Sequence, residues 1–291
     1  MINICTVSDI NYLIKGLALY ESLLSYSKDI KLHYLCIDDI SYDKLKSFES
    51  ETLSVYIISD LLANDSKLTE VKNRDYRYFC WSLASYFSNY LMNKNIGDIT
   101  YIDSDILLHD KIETLLAPME KNEVGIFRHR QFDLSSDRPE GLFNVGIVHF
   151  KNGSIGKHIL KWWADAVLNS KYPHLATCGD QKYLDNFPNI CPDDSIFIDG
   201  DIGHGAPWIW QLYDFSDYEK DGTIIWNGKK QKLLFSHFSQ FVFNQDSYIP
   251  STQHHVYTPL SSYKEISGLK LIYDDYYNKL KKTKEKYNYG H

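Results

Sequence analysis

Tyr101-Ile102-Asp103-Ser104-Asp105-Ile106-Leu107-Leu108 is a short apolar run broken by two aspartates one residue apart. An unpaired carboxylate in a strand interior is costly enough to lose its charge. Two of them at the end of a core strand therefore ask for a partner. A hard divalent cation that also binds phosphate oxygens fits that need. Alternation along a strand turns side chains i and i+2 the same way, so the spacing predicts that Asp103 and Asp105 face one ion together. The bland alternative is a pair of capping or surface aspartates, because D-x-D is short and common.

The pattern around this run is that of an α/β chain. Residues 2–7 read as a buried strand, 12–26 as a helix with Leu13, Leu17 and Leu24 on one face, and 31–37 as a strand ending at Asp38-Asp39. A helix is expected at 42–50, a strand at 55–58, and a helix at 76–92 with Phe79, Leu83, Phe87, Tyr90 and Leu91 on one side. The strand 98–102 then leads into Asp103. Alternating strands and helices predict a mostly parallel central sheet covered on both faces. Such sheets bind ligands at the carboxyl ends of their strands, where Asp9, Asp38 and the Asp103/Asp105 pair all fall. In the second half, strands are expected at 124–127, 143–150, 196–198 and 233–236. A helix over 155–169 is expected to be capped by Ser154, with Ile155, Ile159, Trp162, Trp163 and Ala166 as its apolar stripe. Residues 179–186 read as a short helix. The polar loop 128–141 and the Gly/Pro/Trp loop 199–211 are the expected determinants of substrate choice. No repeat or linker divides the chain.

With 291 residues, 44% of them hydrophobic, the chain can bury a full core. Aromatics reach 15%, with 23 Tyr, which suits ring stacking on sugars or bases; an AT-rich genome gives the same bias. Net charge is −7; five lysines against one glutamate put residues 279–291 at +4 and the rest at −11. A body this acidic argues against nucleic-acid binding. The basic tail is either a solvated helix end or a contact for an anionic membrane surface. Cys5, Cys36, Cys80, Cys178 and Cys191 form no C-x-x-C pair and read as reduced residues, which points to the cytoplasm. No signal peptide or membrane-length apolar run is visible.

In order along the chain, these motifs resemble glycosyltransferases of the GT-A (Rossmann-like) class. They are most similar to family 8, which includes glycogenin and bacterial lipopolysaccharide galactosyl- and glucosyltransferases. Cys5-Thr6-Val7-Ser8 with Tyr12 and Lys15-Gly16 resembles that family's opening strand and nucleotide-binding turn. Asp103-Ser104-Asp105 resembles its DxD motif, Phe143-Asn144-Val145-Gly146 its F-N-[AS]-G strand, Gly179-Asp180-Gln181 its D-Q pair, and Phe235-Ser236-His237-Phe238 the strand carrying a third metal ligand.

The resemblance implies a GT-A catalytic domain over 1–245 and a smaller C-terminal extension over 246–291 with a basic helical tail. It implies a hexosyltransferase that uses Mn²⁺ or Mg²⁺ and a nucleotide diphosphate sugar, UDP-linked and retaining, and a glycan or lipid-linked glycan acceptor. Surface polysaccharide or lipopolysaccharide synthesis is the implied setting, at or near the inner face of the membrane. Asp103, Asp105 and His237 are then the metal ligands, Gln181 and Asp180 the catalytic pair, and Thr6, Asp9, Tyr12, Asp38, Ser104 and Asn144 the donor-binding residues. Trp208 and Trp210 are expected to stack on the acceptor, and Arg74 and Arg77 are candidate phosphate contacts.

The chain departs from the family where His237 is followed by Phe238-Ser239-Gln240-Phe241 rather than by a glycine and then Lys-Pro-Trp. Gly205-Ala206-Pro207-Trp208 resembles a divergent bacterial branch. Three other classes are open to the residues alone. A sugar nucleotidyltransferase wants a Gly-rich loop that residues 6–12 lack. A non-catalytic carbohydrate-binding protein leaves the ordered polar set unexplained. A glycosidase needs carboxylates farther apart than Asp103 and Asp105.

Overall fold

The computed structural model describes residues 1–130, 139–170, 174, 179–199, 202–250 and 265–288, excepting the side chains of Trp208 and Trp210. The acceptor-stacking roles expected of those two tryptophans, part of the 128–141 loop and Cys178 thus lie outside the described residues.

The first half alternates as its periodicity predicts. β1 (Ile2–Ser8), α1 (Leu13–Tyr26), β2 (Ile30–Cys36), α2 (Asp39–Lys46) and β3 (Leu53–Ile57) are followed by α3 (Ile58–Asn64), α4 (Ser66–Arg74), α5 (Tyr76–Asn93) and β4 (Ile99–Ile102). The sequence reading missed α3 and α4, whose polar sequence buries only Ile58, Leu61, Leu68 and Val71. Next come β5 (Ile106–Leu108), α6 (Ile112–Leu116), β6 (Val124–Arg128), β7 (Phe143–Phe150), α7 (Ser154–Leu168), α8 (Phe187–Ile190) and β8 (Ile196–Ile198). The last part holds β9 (His204–Gly205), β10 (Tyr213–Asp214), α9 (Tyr218–Asp221), β11 (Thr223–Trp226), β12 (Lys229–Lys232), β13 (Phe235–His237), β14 (Val242–Phe243), β15 (Tyr248–Ile249) and α10 (Leu269–Lys286).

Among the described residues the central sheet has the order β3-β2-β1-β4-β7-β6-β8. It is mostly parallel; β7 runs antiparallel to both β4 and β6. The strand order reverses direction between β1 and β4, and that switch point opens a crevice at the carboxyl ends. Asp9 follows β1 and Asp103 follows β4, so both stand at this crevice. Helix α1 lies so close to the sheet that a Cβ on Gly16 would sit 2.0 Å from the Tyr34 hydroxyl, which is bonded to Ser8 Oγ at 2.7 Å.

Helices α5 and α7 cover one face, with Phe79, Leu83, Phe87, Leu91 and Trp163 fully buried among them. Trp163 belongs to the core as its helical spacing suggests, with Trp162 packed at the margin. The expected Ser154 cap is not formed. Gly153 is the cap residue, and Glu123 from before β6 accepts the amides of Ile155 at 3.0 Å and Gly156 at 2.9 Å. A second, three-stranded sheet in the order β5-β13-β9 stands beside the main one. It packs with α1 and α10 around Ile14, Ala18, Leu107, Phe238, Tyr273 and Tyr276.

Candidate active site

The turn after β4 builds the centre. The main-sheet strand ends at Ile102, and Asp103-Ser104-Asp105 form a turn closed by the Ile106 amide on the Asp103 carbonyl at 3.1 Å. β5 then starts in the other sheet. The two carboxylates therefore converge through a turn between sheets, not through the strand alternation expected from sequence. Antiparallel pairing of β13 with β5 sets His237 opposite Ile106, and the Phe238 amide donates to the Asp105 carbonyl at 2.9 Å. That register delivers the imidazole: Nε2 lies 3.1 Å from Asp105 Oδ1 and 3.6 Å from Asp103 Oδ2. One ligand atom from each of Asp103, Asp105 and His237 lies within 4.8 Å of the others.

The imidazole tautomer follows from its neighbours. Asn144 Oδ1 accepts the Gly146 amide at 2.8 Å, so the His237 Nδ1 contact at 3.1 Å to that same oxygen is a donated bond. Nε2 is then the nitrogen turned to the carboxylates, the arrangement expected of a metal-ligating histidine. Burial pulls the His237 pKa down, but Asp105 and Asp103 outweigh it and hold it above its ordinary value. Burial likewise works against ionised Asp105, and His237 and Lys15 reverse it to a lowered pKa. Asp103 is raised by burial, only partly offset by His237. Two carboxylates and an imidazole, with the second ring nitrogen already bonded, are a donor set that suits Mn²⁺ or Mg²⁺.

These three side chains stand on the wall of a cavity of about 490 Å³. Asp9, Tyr12, Ser104, Asn144 and Gln181 line it, as the sequence reading expects of site residues. Asp9 accepts the amides of Asn11 at 3.0 Å and Tyr12 at 3.1 Å, shaping its own turn. The Gln181 amide is held on both sides: Oε1 accepts from Asn144 Nδ2 at 3.2 Å and the Val145 amide at 3.3 Å, and Nε2 donates to the Glu140 carbonyl at 2.8 Å. Asn144 thus bridges His237 and Gln181.

Other expected residues lie behind this wall. Asp38 caps α2 through the Ser41 amide at 2.7 Å and accepts the Ile10 amide at 2.7 Å. Thr6 is fully buried with its hydroxyl unpartnered. Asp180 is buried beside Gln181 with Oδ2 unpartnered, and burial plus the charge of Asp103 push its pKa well up. Arg74 donates to Ser170 at 3.1 Å, and Arg77 lies over the Trp81 ring at 4.4 Å.

The sequence reading missed Cys80, Trp81, Tyr101, His129 and Glu140 on the cavity wall. Tyr101 carried a signal, since it precedes Asp103 by two residues; its hydroxyl donates to Asp103 Oδ1 at 2.7 Å. Trp81 packs on Gly179, whose φ of +63° and contact leave no room for a Cβ, which would sit 2.6 Å from Trp81 Cβ. No periodicity in the chain announces that contact.

Residues 3–187 match glycosyl transferase family 8. The protein YfnF of Bacillus subtilis (strain 168) is 28% identical over 254 residues, covering 81% of this chain and 80% of its own. Mouse xyloside xylosyltransferase 1 superposes with a TM-score of 0.53 at 16% identity, over 86% of this chain and 99% of that one. The galactosyltransferase LgtC, solved with donor and acceptor sugar analogs, gives 0.53 at 14% identity, over 82% and 87%. The two structural likenesses show a shared GT-A fold.

Proposed function

This chain belongs to glycosyl transferase family 8, and we propose that it moves a hexose from a nucleoside diphosphate sugar, UDP-linked, to a glycan acceptor with retention at the anomeric carbon, aided by Mn²⁺ or Mg²⁺. The observation that carries the reading is the convergence of Asp103, Asp105 and His237 within 4.8 Å on a cavity wall that also presents Gln181. When bound, a divalent ion there neutralises the donor's phosphates and stabilises the charge that develops on the leaving diphosphate.

The chain's own groups supply position and electrostatics. Tyr12 offers its exposed ring as a platform for the base, and Asp9 stands beside it. Asp38 and Thr6 shape this part of the site from behind. Ser104 and Asn144 border the metal ligands. Gln181 faces the reacting centre with a neutral amide, which cannot take the acceptor's proton as a general base. Retention follows if the departing diphosphate oxygen takes that proton on its own face. Asp180, whose carboxyl burial and the charge of Asp103 hold well above the usual carboxylate range, backs Gln181 from behind the wall rather than acting as a nucleophile.

Lipopolysaccharide or other surface-polysaccharide synthesis is the proposed setting. The free thiols of Cys5, Cys36, Cys80 and Cys191 support a reducing compartment. Among the described residues no helix is long and apolar enough to cross a membrane. Exposed Lys281 and Lys282 on α10 support peripheral contact with an anionic inner face.

A panel of nucleotide sugars, incubated with and without Mn²⁺ and chelator, tests the donor and the metal together. One donor should be slowly hydrolysed, the rate lost on chelation and restored by Mn²⁺. Turnover that persists in chelator refutes the metal reading. Gln181→Ala should lower kcat by about a hundredfold or more with little change in donor affinity; an unchanged kcat removes Gln181 from the reaction.

A further inference from the structure

The helix wall beside the metal ligands holds a buried cation that, among the described residues, makes no hydrogen bond or ion pair. Lys15, in the first turn of α1, is 5% exposed. Its neighbours Leu13, Ile14, Leu17 and Ala18 are all buried and apolar. Among the described residues its Nζ has no hydrogen bond and no ion pair within 4.0 Å. Its contact is the ring of Tyr12, with Nζ 4.1 Å from the centroid. A cation–π contact offsets only part of the cost of taking an ammonium out of water. An apolar residue at this position would be the cheaper choice for the fold alone.

The surroundings say what is missing. Tyr12 and Asp105 line the same cavity as the site, and the charge of Lys15 is felt by both Asp105 and His237. Once a divalent ion occupies Asp103 and Asp105, those carboxylates are spent on it. Lys15 is then a desolvated cation packed on Tyr12, one side chain behind the wall of a cavity whose incoming ligand carries phosphates. The segment after His237, Phe238-Ser239-Gln240-Phe241, has no cation to offer.

We propose that Lys15 grips the diphosphate of the donor, and of the nucleoside diphosphate left after transfer, by donating hydrogen bonds to its non-bridging oxygens. The inference rests on the donor reading above. As the anomeric C–O bond breaks, the bonding pair stays with the diphosphate oxygen, and Lys15 stabilises that charge while keeping its own proton. Its ammonium lies on one face of Tyr12, so the base stacks on the other.

Isothermal titration of uridine, UMP and UDP into Mn²⁺-loaded wild type, Lys15→Met and Lys15→Arg tests this, with GDP and dTDP as alternative diphosphates. Wild type should bind a diphosphate far more tightly than its nucleoside. Lys15→Met should lose at least about tenfold in diphosphate affinity, the scale of one charge-assisted hydrogen bond, and keep its affinity for the nucleoside. Lys15→Arg should recover part of the loss. Thermal melting checks that each variant is folded, and Lys15→Gln replaces Lys15→Met if the latter is not. Wild type that binds no nucleoside diphosphate sinks the donor reading and this inference with it. Wild type that binds one, with a folded Lys15→Met or Lys15→Gln that binds it equally well, overturns this inference alone; a lysine that only balanced the two aspartates would give that result.

Discussion

Gly146 has no side chain because the space is taken: a Cβ there would sit 2.5 Å from Asn144 Oδ1 and 2.8 Å from His237 Nδ1. The F-N-V-G run thus lets the Asn144 amide reach the imidazole and set which nitrogen faces the carboxylates. Gly146→Ala should weaken Mn²⁺ binding by about ten- to a hundredfold, the usual cost of a lost second ligand-orienting bond. Unaltered Mn²⁺ affinity by titration would show that this bond does not orient the ligand. His237 also makes metal binding pH-dependent. Its pKa is raised in the metal-free protein, and a proton on Nε2 competes with the ion. Mn²⁺ affinity should therefore fall as pH drops through that raised value, with a proton released on binding at the low end. Titrations in two buffers from about pH 8 to about pH 6 read this directly; a flat profile excludes His237 as a ligand. Asp103, Asp105 and His237 were legible as a motif order, but the hydrogen bond that fixes the imidazole was not, because it joins residues from separate strands.

Elements show a different balance. The strands and helices of the first half follow hydrophobic period closely, because each buries one continuous apolar face against the sheet. Where they failed to show, as in α3 and α4, the apolar positions are too few to mark a period. Ser154 is a good cap by residue type, yet Glu123 takes that role from another element. A Cβ at Gly153 would meet Glu123 Oε2 at 2.2 Å, so the carboxylate is seated tightly on the helix start. Glu123→Ala should cost about 1–2 kcal/mol, as loss of a helix cap does. Urea denaturation checks it, and Ser154→Ala should cost clearly less. The register of β13 on β5 is likewise a tertiary fact: a one-residue slip would turn His237 away from Asp105.

For the molecule as a whole, α10 decides how far the catalytic unit extends. Leu269, Ile272, Tyr273, Tyr276 and Leu280 are buried, and Tyr276 stacks on Phe238, the residue after His237, at 3.8 Å. Lys286 pairs with Glu21 of α1 at 2.8 Å. Burying each such large side chain is worth roughly 1.5–3 kcal/mol, and five of them rival the roughly 5–15 kcal/mol of a typical domain. A chain ending at residue 245 should therefore fail to give a monodisperse, cooperatively melting protein. Gel filtration and circular dichroism decide it; a stable 1–245 fragment would show that α10 is dispensable for folding.

The chain by itself determined the α/β class, the strand end that carries Asp103 and Asp105, and the order of Asn144, Asp180-Gln181 and His237 behind them. Those are local matters: period, burial of short runs, and residue type at a strand end. The tertiary structure alone decided that the two aspartates converge through a turn between sheets. It also decided that Asn144 links His237 to Gln181, that Trp81 joins the wall, and that, among the described residues, Lys15 is left buried without an ion pair. Each of these depends on strand pairing or on helix approach across the crevice between β1 and β4, and contacts between segments far apart in sequence leave no periodic trace in it.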